Sequence, residues 1–115
     1  MFIKRETVKP IEFDRLKIVD YTAERNTRSS FAEITVPAGV RHKTSWSTRS
    51  DKYYYVIEGT VDFMVGDKYD TLASGDVCVI PKGIRFYYQN NGQDKAKLIL
   101  VHTPAFELAS EVFED

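Results

Sequence analysis

The side chains that could carry acid–base chemistry are few and lie far apart in the sequence. There are two histidines, His42 and His102, and one cysteine, Cys78, which lies in an apolar run where a thiol is usually buried and inert. A single cysteine forms no internal disulfide, and no Cys/His cluster has the spacing of a structural zinc site. Lys52 and Tyr54 are two residues apart, so on a strand they share one face. There an amine could act as a base or Schiff-base nucleophile and a phenol as an acid.

The elements that must position these side chains are predicted to be short antiparallel strands. Runs rich in Val, Ile, Thr, Phe and Tyr recur between turn signals such as Glu58-Gly59, Ser74-Gly75-Asp76 and Pro81-Lys82-Gly83. Seven or more strands at this spacing are typical of a sandwich or barrel. The predicted strands are residues 30–36, 53–57, 61–65, 69–72, 77–80, 85–89 and 97–102.

The two ends of the chain differ from this strand-rich middle. Residues 1–29 form a lead-in, and its segment 2–19 is expected to add an edge strand to the chain's own sheet or to a partner's, which favours a homodimer. Residues 106–113 are expected to form a short acidic helix or an extended tail. Since the sequence has no repeat, low-complexity tract or linker, residues 1–115 are predicted to be a single domain.

The composition argues against several classes of partner. The 16 Lys and Arg residues against 17 Asp and Glu give a net charge of −1, which disfavours nucleic acid and anionic membranes. The hydrophobic fraction of 43% is too high for a disordered chain. The first residues lack the apolar run of a signal peptide, and no segment reaches the roughly 18 apolar residues of a membrane span. The protein is therefore expected in the cytoplasm.

Two blocks of glycine and proline spacing carry a family resemblance. In the first block, residues 39–59, five residues separate Gly39 from Ser45-Trp46-Ser47, four residues separate Ser47 from Lys52, and six residues separate Lys52 from Gly59. In the second block, residues 75–90, five residues separate Gly75 from Pro81 and one residue separates Pro81 from Gly83. Two residues then precede Phe86, and three more precede Asn90. This spacing resembles motifs 1 and 2 of the cupin superfamily. The resemblance implies an all-β fold, the double-stranded β-helix or jelly-roll barrel of a small single-domain cupin.

The same resemblance implies that the family's usual metal site is missing. Metal-binding cupins coordinate a divalent ion with two histidines and a glutamate of the first motif and a histidine of the second. Here those positions hold Ser45, Ser47, Lys52 and Phe86. Serine hydroxyls are weak ligands, phenylalanine offers no lone pair and an ammonium repels a cation. Neither a metal nor another cofactor is therefore expected.

A relocated metal site stays open as an alternative. His42, His102 and a carboxylate such as Asp51 could supply ligands, although nothing in their spacing favours it. The simpler interpretation of His42 is a solvent-exposed loop residue. His102 ends a strand and is either a structural histidine bonded to the backbone or a general base or anion ligand.

The ligand positions of the family point into the barrel, and alternation along each strand then places their neighbours. The candidate ligand-binding residues are Ser45, Ser47, Lys52, Tyr54, Phe86, Tyr88 and His102. Lys52, Tyr54 and His102 are also the catalytic candidates. A protonated lysine carries about the local charge of a metal with its ligands, so Lys52 is hypothesised to keep a preference for anionic or electron-rich groups. Each candidate also has a plainer, structural interpretation. Lys52 would pair with a carboxylate or reach solvent, and the aromatic side chains would fill the barrel. The two serines would hydrogen-bond to each other, to the backbone or to water.

Three functions are consistent with this pattern. The first is metal-independent binding of a small polar molecule, anionic or sugar-like, in the barrel. The second is a metal-free isomerase, cyclase or lyase that uses Lys52 or His102 with Tyr54, so whether the protein is an enzyme stays open. The third is a filled barrel that serves as a dimerisation or interaction module. An open cavity favours a ligand site, whereas a closed interior favours the module.

Overall fold

Two antiparallel sheets form the fold. A computed structural model of the chain describes residues 1–114. The strands are β1 (Ile11–Phe13), β2 (Leu16–Asp20), β3 (Ser30–Val36), β4 (Ser45–Ser47), β5 (Asp51–Glu58), β6 (Thr60–Val65), β7 (Lys68–Ala73), β8 (Val77–Ile80), β9 (Phe86–Gln89), β10 (Ala96–Thr103) and β11 (Glu111–Phe113). Short 3-10 turns cover Arg5–Thr7 and Leu108–Ser110. Within residues 1–114 no helix is long and apolar enough to cross a membrane.

The two sheets face each other across the core. One contains six strands in the order β1-β2-β3-β10-β5-β8, and the other contains five in the order β11-β4-β9-β6-β7. Strand β10 shows the expected alternation, because every second residue from Ala96 to His102 is buried. The inward residues Val56, Leu98, Phe86 and Tyr88 are almost entirely buried and pack in one cluster. The interior of the barrel is thus lined by one face of each sheet.

The seven strands predicted from sequence are present as β3 and β5–β10, with ends that differ by no more than two residues. Strands β4 and β11, each three residues long, were missed, and the N-terminal segment that was expected to add one edge strand forms two, β1 and β2. The N-terminal lead-in supplies β1 and β2 to the chain's own sheet. Of the two forms expected for residues 106–113, a short helix or an extended tail, the structure favours the extended one: a single 3-10 turn, Leu108–Ser110, is followed by residues 111–113, which pair with β4 as a strand.

Gly59 forms the tight turn between β5 and β6 and is constrained in two ways. Its φ is +80°, a region that residues with a side chain seldom adopt. A Cβ atom at this position would also lie 3.0 Å from the backbone Cα of Ala96 and 3.0 Å from the carbonyl oxygen of Lys95. Both backbone conformation and close approach of β10 therefore require glycine.

Replacing Gly59 with alanine should destabilise the protein more than the same replacement at Gly39, a glycine of similar backbone conformation. Gly39 has φ +81° but open space where a Cβ would be. Gly39→Ala should cost about 1–2 kcal/mol from backbone strain alone. Gly59→Ala should cost roughly a further 1–3 kcal/mol because β10 must shift. Urea unfolding of both variants measures the difference, and equal losses would contradict the steric argument.

Candidate functional site

A cavity of about 230 Å³ lies between the two sheets near β1, β2 and β11. One buried water molecule needs about 10–15 Å³ of such space, so this cavity accommodates a small organic molecule. Most of its wall is apolar and comes from the six-stranded sheet, including Leu16, Ile18, Ile34 and Leu100. The polar side chains with chemical potential on the wall are His42, Lys52, Tyr54, Tyr88, His102 and Glu111. An apolar cavity with a few convergent polar groups has the character of a small-molecule site.

Lys52 is the centre of a buried polar cluster on this wall. Its Nζ donates a short hydrogen bond to Oε1 of Glu111, and both side chains are only 4% exposed. Nζ also lies 2.9 Å from Nε2 of His102. Since an ammonium has only donors, Nε2 of His102 accepts this bond and its proton is on Nδ1. Burial lowers the pKa of Lys52, whereas the charge of Glu111 and the hydrogen bond to it oppose that shift.

Strand pairing explains how residues distant in sequence meet here. Lys52 on β5 and His102 on β10 are direct cross-strand partners, so their side chains lie side by side on the inner face. Glu111 comes from the other sheet, where β11 pairs with β4 and places it opposite Ser47. The cluster therefore joins the two sheets, and the C-terminal strand contributes the carboxylate of Glu111 to it.

Glu111 was not among the residues predicted from sequence. Its strand has three residues, and its inward orientation depends on pairing with β4, which is more than sixty residues earlier in the chain. The local sequence Glu111-Val112-Phe113 gives no indication of which face is inward. The one available signal was Lys52 itself, because a buried ammonium requires a carboxylate partner.

The expectation that His42 is a solvent-exposed loop residue was wrong. His42 is 8% exposed and lines the cavity. The backbone before β4 follows β9, with the amide of His42 donating to the carbonyl of Tyr88 at 2.8 Å and a bridge between Arg41 and Gln89. This pairing imposes strand-like alternation, so that Arg41 points outward and His42 inward. The alternation Val40-Arg41-His42 was the signal that could have indicated it.

The ring of His42 is held in one tautomer and kept neutral. Its Nδ1 lies 2.6 Å from the carbonyl oxygen of Lys43, which can only accept, so Nδ1 carries the proton and Nε2 keeps its lone pair. Burial lowers the pKa of His42 to about 4. The ring stacks on Tyr88 and Phe86 with centroid distances of 4.8 Å and 5.3 Å. His42 therefore offers a fixed proton acceptor at neutral pH.

The two inward tyrosines hold their protons. Burial raises the pKa of Tyr54 well above its ordinary value and raises that of Tyr88 as well. The rings meet edge to face with a centroid distance of 5.3 Å. The hydroxyl of Tyr88 is buried and makes no well-formed hydrogen bond to residues 1–114; the hydroxyl of Tyr54 is its polar neighbour and contributes to the pKa of both tyrosines. Such a hydroxyl costs free energy unless a ligand or water satisfies it.

Of the seven predicted ligand-binding residues, the structure brings Lys52, Tyr54, Tyr88 and His102 together on the cavity wall. Ser45, Ser47 and Phe86 are buried but do not line it. The hydroxyl of Ser47 accepts hydrogen bonds from the backbone amides of Arg49 and Ser50, which is the turn-stabilising role of its plainer interpretation. Contact of these three residues with a ligand stays a prediction.

The four positions that hold the metal in metal-binding cupins do not fit one here. Lys52 occupies the carboxylate position with an ammonium that donates to Glu111 and His102, and its Nζ lies 5.5 Å from the centre of the Phe86 ring. The relocated site is not formed either, since no group of three or more His, Cys, Asp or Glu side chains within residues 1–114 is arranged to hold an ion.

The family model of the cupin domain matches residues 32–102, which is more than half of the chain. The chain belongs to the cupin family. The curated acetate kinase EutQ of Clostridioides difficile strain 630 is 31% identical over 110 residues, covering 90% of this chain and 69% of that protein. The predicted family and jelly-roll fold are thus confirmed.

Solved structures extend the similarity of this cupin over nearly its whole length. A variant of Streptomyces PAC13 with uridine is 18% identical, with a TM-score of 0.86 over 99% of this chain and 90% of that chain. Another structure, of Pac13 described as a nucleoside dehydratase, matches equally well. A predicted oxalate decarboxylase of Thermotoga maritima is 17% identical, with a TM-score of 0.81 over 90% of this chain and 99% of that chain. At these identities the likeness establishes the fold alone.

Acid should destabilise this cupin over the range in which its unfolded histidines gain protons. The pKa of His42 falls from 6.5 to about 4 in the folded state, and burial followed by the charge of Lys52 lowers that of His102 to about 3. Between pH 6.5 and 4 the unfolded chain binds more protons, so the free energy of unfolding decreases as pH falls, by on the order of several kcal/mol.

Melting temperatures measured from pH 7.5 to pH 4.5 test this expectation. His102→Asn and His42→Asn should each flatten the decrease, because each removes one group that must be kept neutral. A melting temperature that is constant down to pH 4.5 would contradict the assignment of two neutral buried imidazoles.

Proposed function

We propose that this cupin is a metal-independent lyase that binds a small sugar-like molecule in its barrel and eliminates water from it. One observation carries the proposal: a possible proton acceptor and a possible proton donor lie on the same cavity wall. The acceptor is Nε2 of the neutral His42, and the donor is the buried hydroxyl of Tyr88, which makes no well-formed hydrogen bond to the described residues. A proton acceptor and a proton donor at one site are the minimum that such an elimination needs.

The shape of the cavity supports a ligand that is polar at one end and apolar at the other. Its depth contains the histidines, the tyrosines and the Lys52 cluster. Its rim includes apolar side chains that are exposed to solvent, namely Ile11, Phe106, Leu108 and Phe113. A nucleoside has this character, with hydroxyl groups on the sugar and a flat ring on the base. Uridine is therefore the first probe.

The structures of PAC13 with uridine supply a second line of support. They include variants in which one histidine and two tyrosines are replaced. This cupin also places a histidine and two tyrosines, His42, Tyr54 and Tyr88, around its cavity. The correspondence suggests similar chemistry, although 18% identity leaves that chemistry a proposal.

The elimination can be assigned to residues of this chain. Nε2 of His42 takes a proton from a carbon that is acidified by a neighbouring carbonyl of the substrate. The electron pair of the broken C–H bond forms a C=C bond, and the C–O bond of the hydroxyl on the next carbon breaks. The leaving oxygen takes a proton from Tyr88 or Tyr54 and departs as water. Burial raises the pKa of both phenols, so each holds a proton for this step but is a weaker acid than a phenol in water.

His42 is a better base than the two candidates named from sequence. The lone pair of His102 Nε2 already accepts a hydrogen bond from Lys52. Lys52 donates to both His102 and Glu111, which favours its charged form. Its ammonium is instead placed to stabilise negative charge that develops on the substrate carbonyl during proton removal.

EutQ provides a second candidate function, phosphoryl transfer to acetate. The 31% identity over 90% of this chain favours it. Phosphoryl transfer relies on cations that face the phosphate oxygens. On the described cavity wall the cation is Lys52, and Glu111 already pairs with it. An assay of acetyl phosphate formation from acetate and ATP distinguishes this function from elimination.

Homodimer formation and a cytoplasmic location remain predictions. An exposed apolar patch on the outer face of the six-stranded sheet supports homodimer formation. It contains Phe31, Tyr53, Tyr55, Val77 and Val79, several of which are cross-strand neighbours. Exposed apolar patches of this kind often mark contact surfaces. Light scattering coupled to size-exclusion chromatography measures the oligomeric state.

Removal of the base or the acid should abolish turnover without unfolding the protein. His42→Asn and Tyr88→Phe should each lower kcat/KM by about 10²–10⁴, measured as the ultraviolet absorbance of an unsaturated product from a panel of nucleosides and sugars that carry a carbonyl. Tyr88→Phe should leave the free energy of unfolding unchanged or raise it by about 1 kcal/mol, because it deletes a buried hydroxyl that makes no well-formed hydrogen bond to the described residues.

Tyr87→Phe is the matched control, since Tyr87 lies on the same strand and stacks under Arg41 on the outer face. If Tyr88→Phe and Tyr87→Phe retain equal activity, the phenol of Tyr88 is not the acid. If wild-type protein neither binds uridine by calorimetry nor converts any member of the panel, the proposed function is wrong.

Treatment with a chelator should not change ligand binding. After dialysis against EDTA, the affinity for uridine measured by calorimetry should match that of untreated protein purified without a histidine tag. A loss of affinity that is restored by a transition metal would overturn metal independence.

A further inference from the structure

The charged groups on the described cavity wall leave no net positive charge. Lys52 and Glu111 form one buried ion pair, and both histidines are neutral at pH 7. The remaining acidic or basic side chain among the described wall residues is Asp20, whose carboxylate accepts a hydrogen bond from the amide of Thr22. None of these groups leaves a net positive charge facing the cavity. The hypothesis that Lys52 attracts anions assumed an unpaired ammonium, and the ion pair removes that assumption.

The position of Glu111 blocks an anion in two ways. Its carboxylate already occupies the site on Nζ that an anionic ligand would take. A second carboxylate or phosphate beside it would face a like charge in a region of low dielectric, where repulsion is stronger than in water. A neutral hydroxyl or carbonyl meets no such repulsion, and it can still accept a hydrogen bond from the ammonium.

Resting on the function proposed above, we propose that Glu111 determines specificity: by neutralising Lys52 it makes the cavity select neutral over anionic ligands. The carboxylate reaches the cavity on the C-terminal strand, outside the segment that matches the cupin model. Selectivity is thus set by an element added to the barrel rather than by the barrel motifs. Without Glu111 the same cavity would be an anion site centred on Lys52.

A purely structural ion pair would behave differently from a specificity determinant. If the pair served stability alone, its removal would weaken neutral and anionic ligands alike. A determinant of specificity changes the ratio of the two affinities. Glu111→Gln is the informative variant, since the amide keeps the shape of the side chain and its oxygen can still accept from Nζ.

The experiment compares uridine with uridine 5′-monophosphate by calorimetry at pH 7. Wild-type protein should bind uridine more tightly. In Glu111→Gln the ratio of affinities should shift toward the monophosphate by about tenfold or more. The substitution removes a negative charge beside the ligand and leaves the ammonium of Lys52 without an ionic partner. Glu114→Gln is the matched control, because Glu114 lies three residues later and pairs with the exposed Arg85. An unchanged ratio in Glu111→Gln overturns the inference.

A second arm does not depend on a nucleoside. Glu111→Ala leaves space beside the ammonium, and acetate can enter it as a replacement carboxylate. Acetate should raise the melting temperature of Glu111→Ala more than acetamide does at the same concentration, since a ligand that binds the folded state stabilises it. Wild-type protein and Glu114→Ala should show no such preference.

The two arms separate the failure of this inference from that of the proposed function. If uridine does not bind wild-type protein but acetate selectively stabilises Glu111→Ala, the nucleoside proposal fails and the anion site masked by Glu111 stands. If uridine binds and the ratio is the same in Glu111→Gln, Glu111 does not set specificity. If acetate and acetamide act alike on Glu111→Ala, Lys52 is not an anion site and the inference is wrong.

Discussion

A buried ammonium constrains the organisation of this barrel. Lys52 points inward from β5, and desolvation makes an unpaired charge there costly. Two elements satisfy it, His102 from the neighbouring strand and Glu111 from the opposite sheet. Removal of one partner from a buried pair typically costs about 3–5 kcal/mol, so the C-terminal strand is held in the fold by electrostatics as well as by its pairing with β4.

The same desolvation prepares the cavity for acid–base chemistry. It lowers the pKa of both histidines and raises that of both tyrosines, so that at neutral pH each imidazole is uncharged, with one nitrogen that carries no proton, and each phenol retains its proton. Hydrogen bonds then distinguish the histidines. The proton of His42 is fixed on Nδ1 by the Lys43 carbonyl, which leaves Nε2 available, whereas Nε2 of His102 is engaged by Lys52. Two residues of one type thereby acquire different environments: His42 keeps a free proton-accepting nitrogen, as the proposed base requires, whereas His102 is bonded to Lys52.

The sequence predicts the barrel well because its strands alternate and its turns require glycine or proline. The resemblance assigned Lys52 to the interior as a ligand position, and alternation from the ligand positions assigned Tyr54 and Tyr88; all three are buried. His42 and Glu111 were not assigned to the interior, since neither belongs to a long strand. His42 faces inward because its backbone follows β9, and Glu111 because a three-residue strand pairs with a segment far away in the chain. Pairings of this length leave no periodic signal, and only the register between strands reveals which side chains meet.

Replacement of a metal by an ion pair changes what the barrel can do. A metal is a point of positive charge and a Lewis acid, and it attracts anionic oxygen. The Lys52–Glu111 pair is a dipole whose positive end is already bonded, so it can donate a hydrogen bond to a developing negative charge but has little attraction for a formed anion. The proposed elimination suits such a site, because it transfers protons between neutral groups and both the proposed substrate and the released water are uncharged. In the proposed function, the changed motif positions of this cupin and the carboxylate supplied by its last strand act together, with hydrogen bonds in the place where metal-binding cupins use coordination.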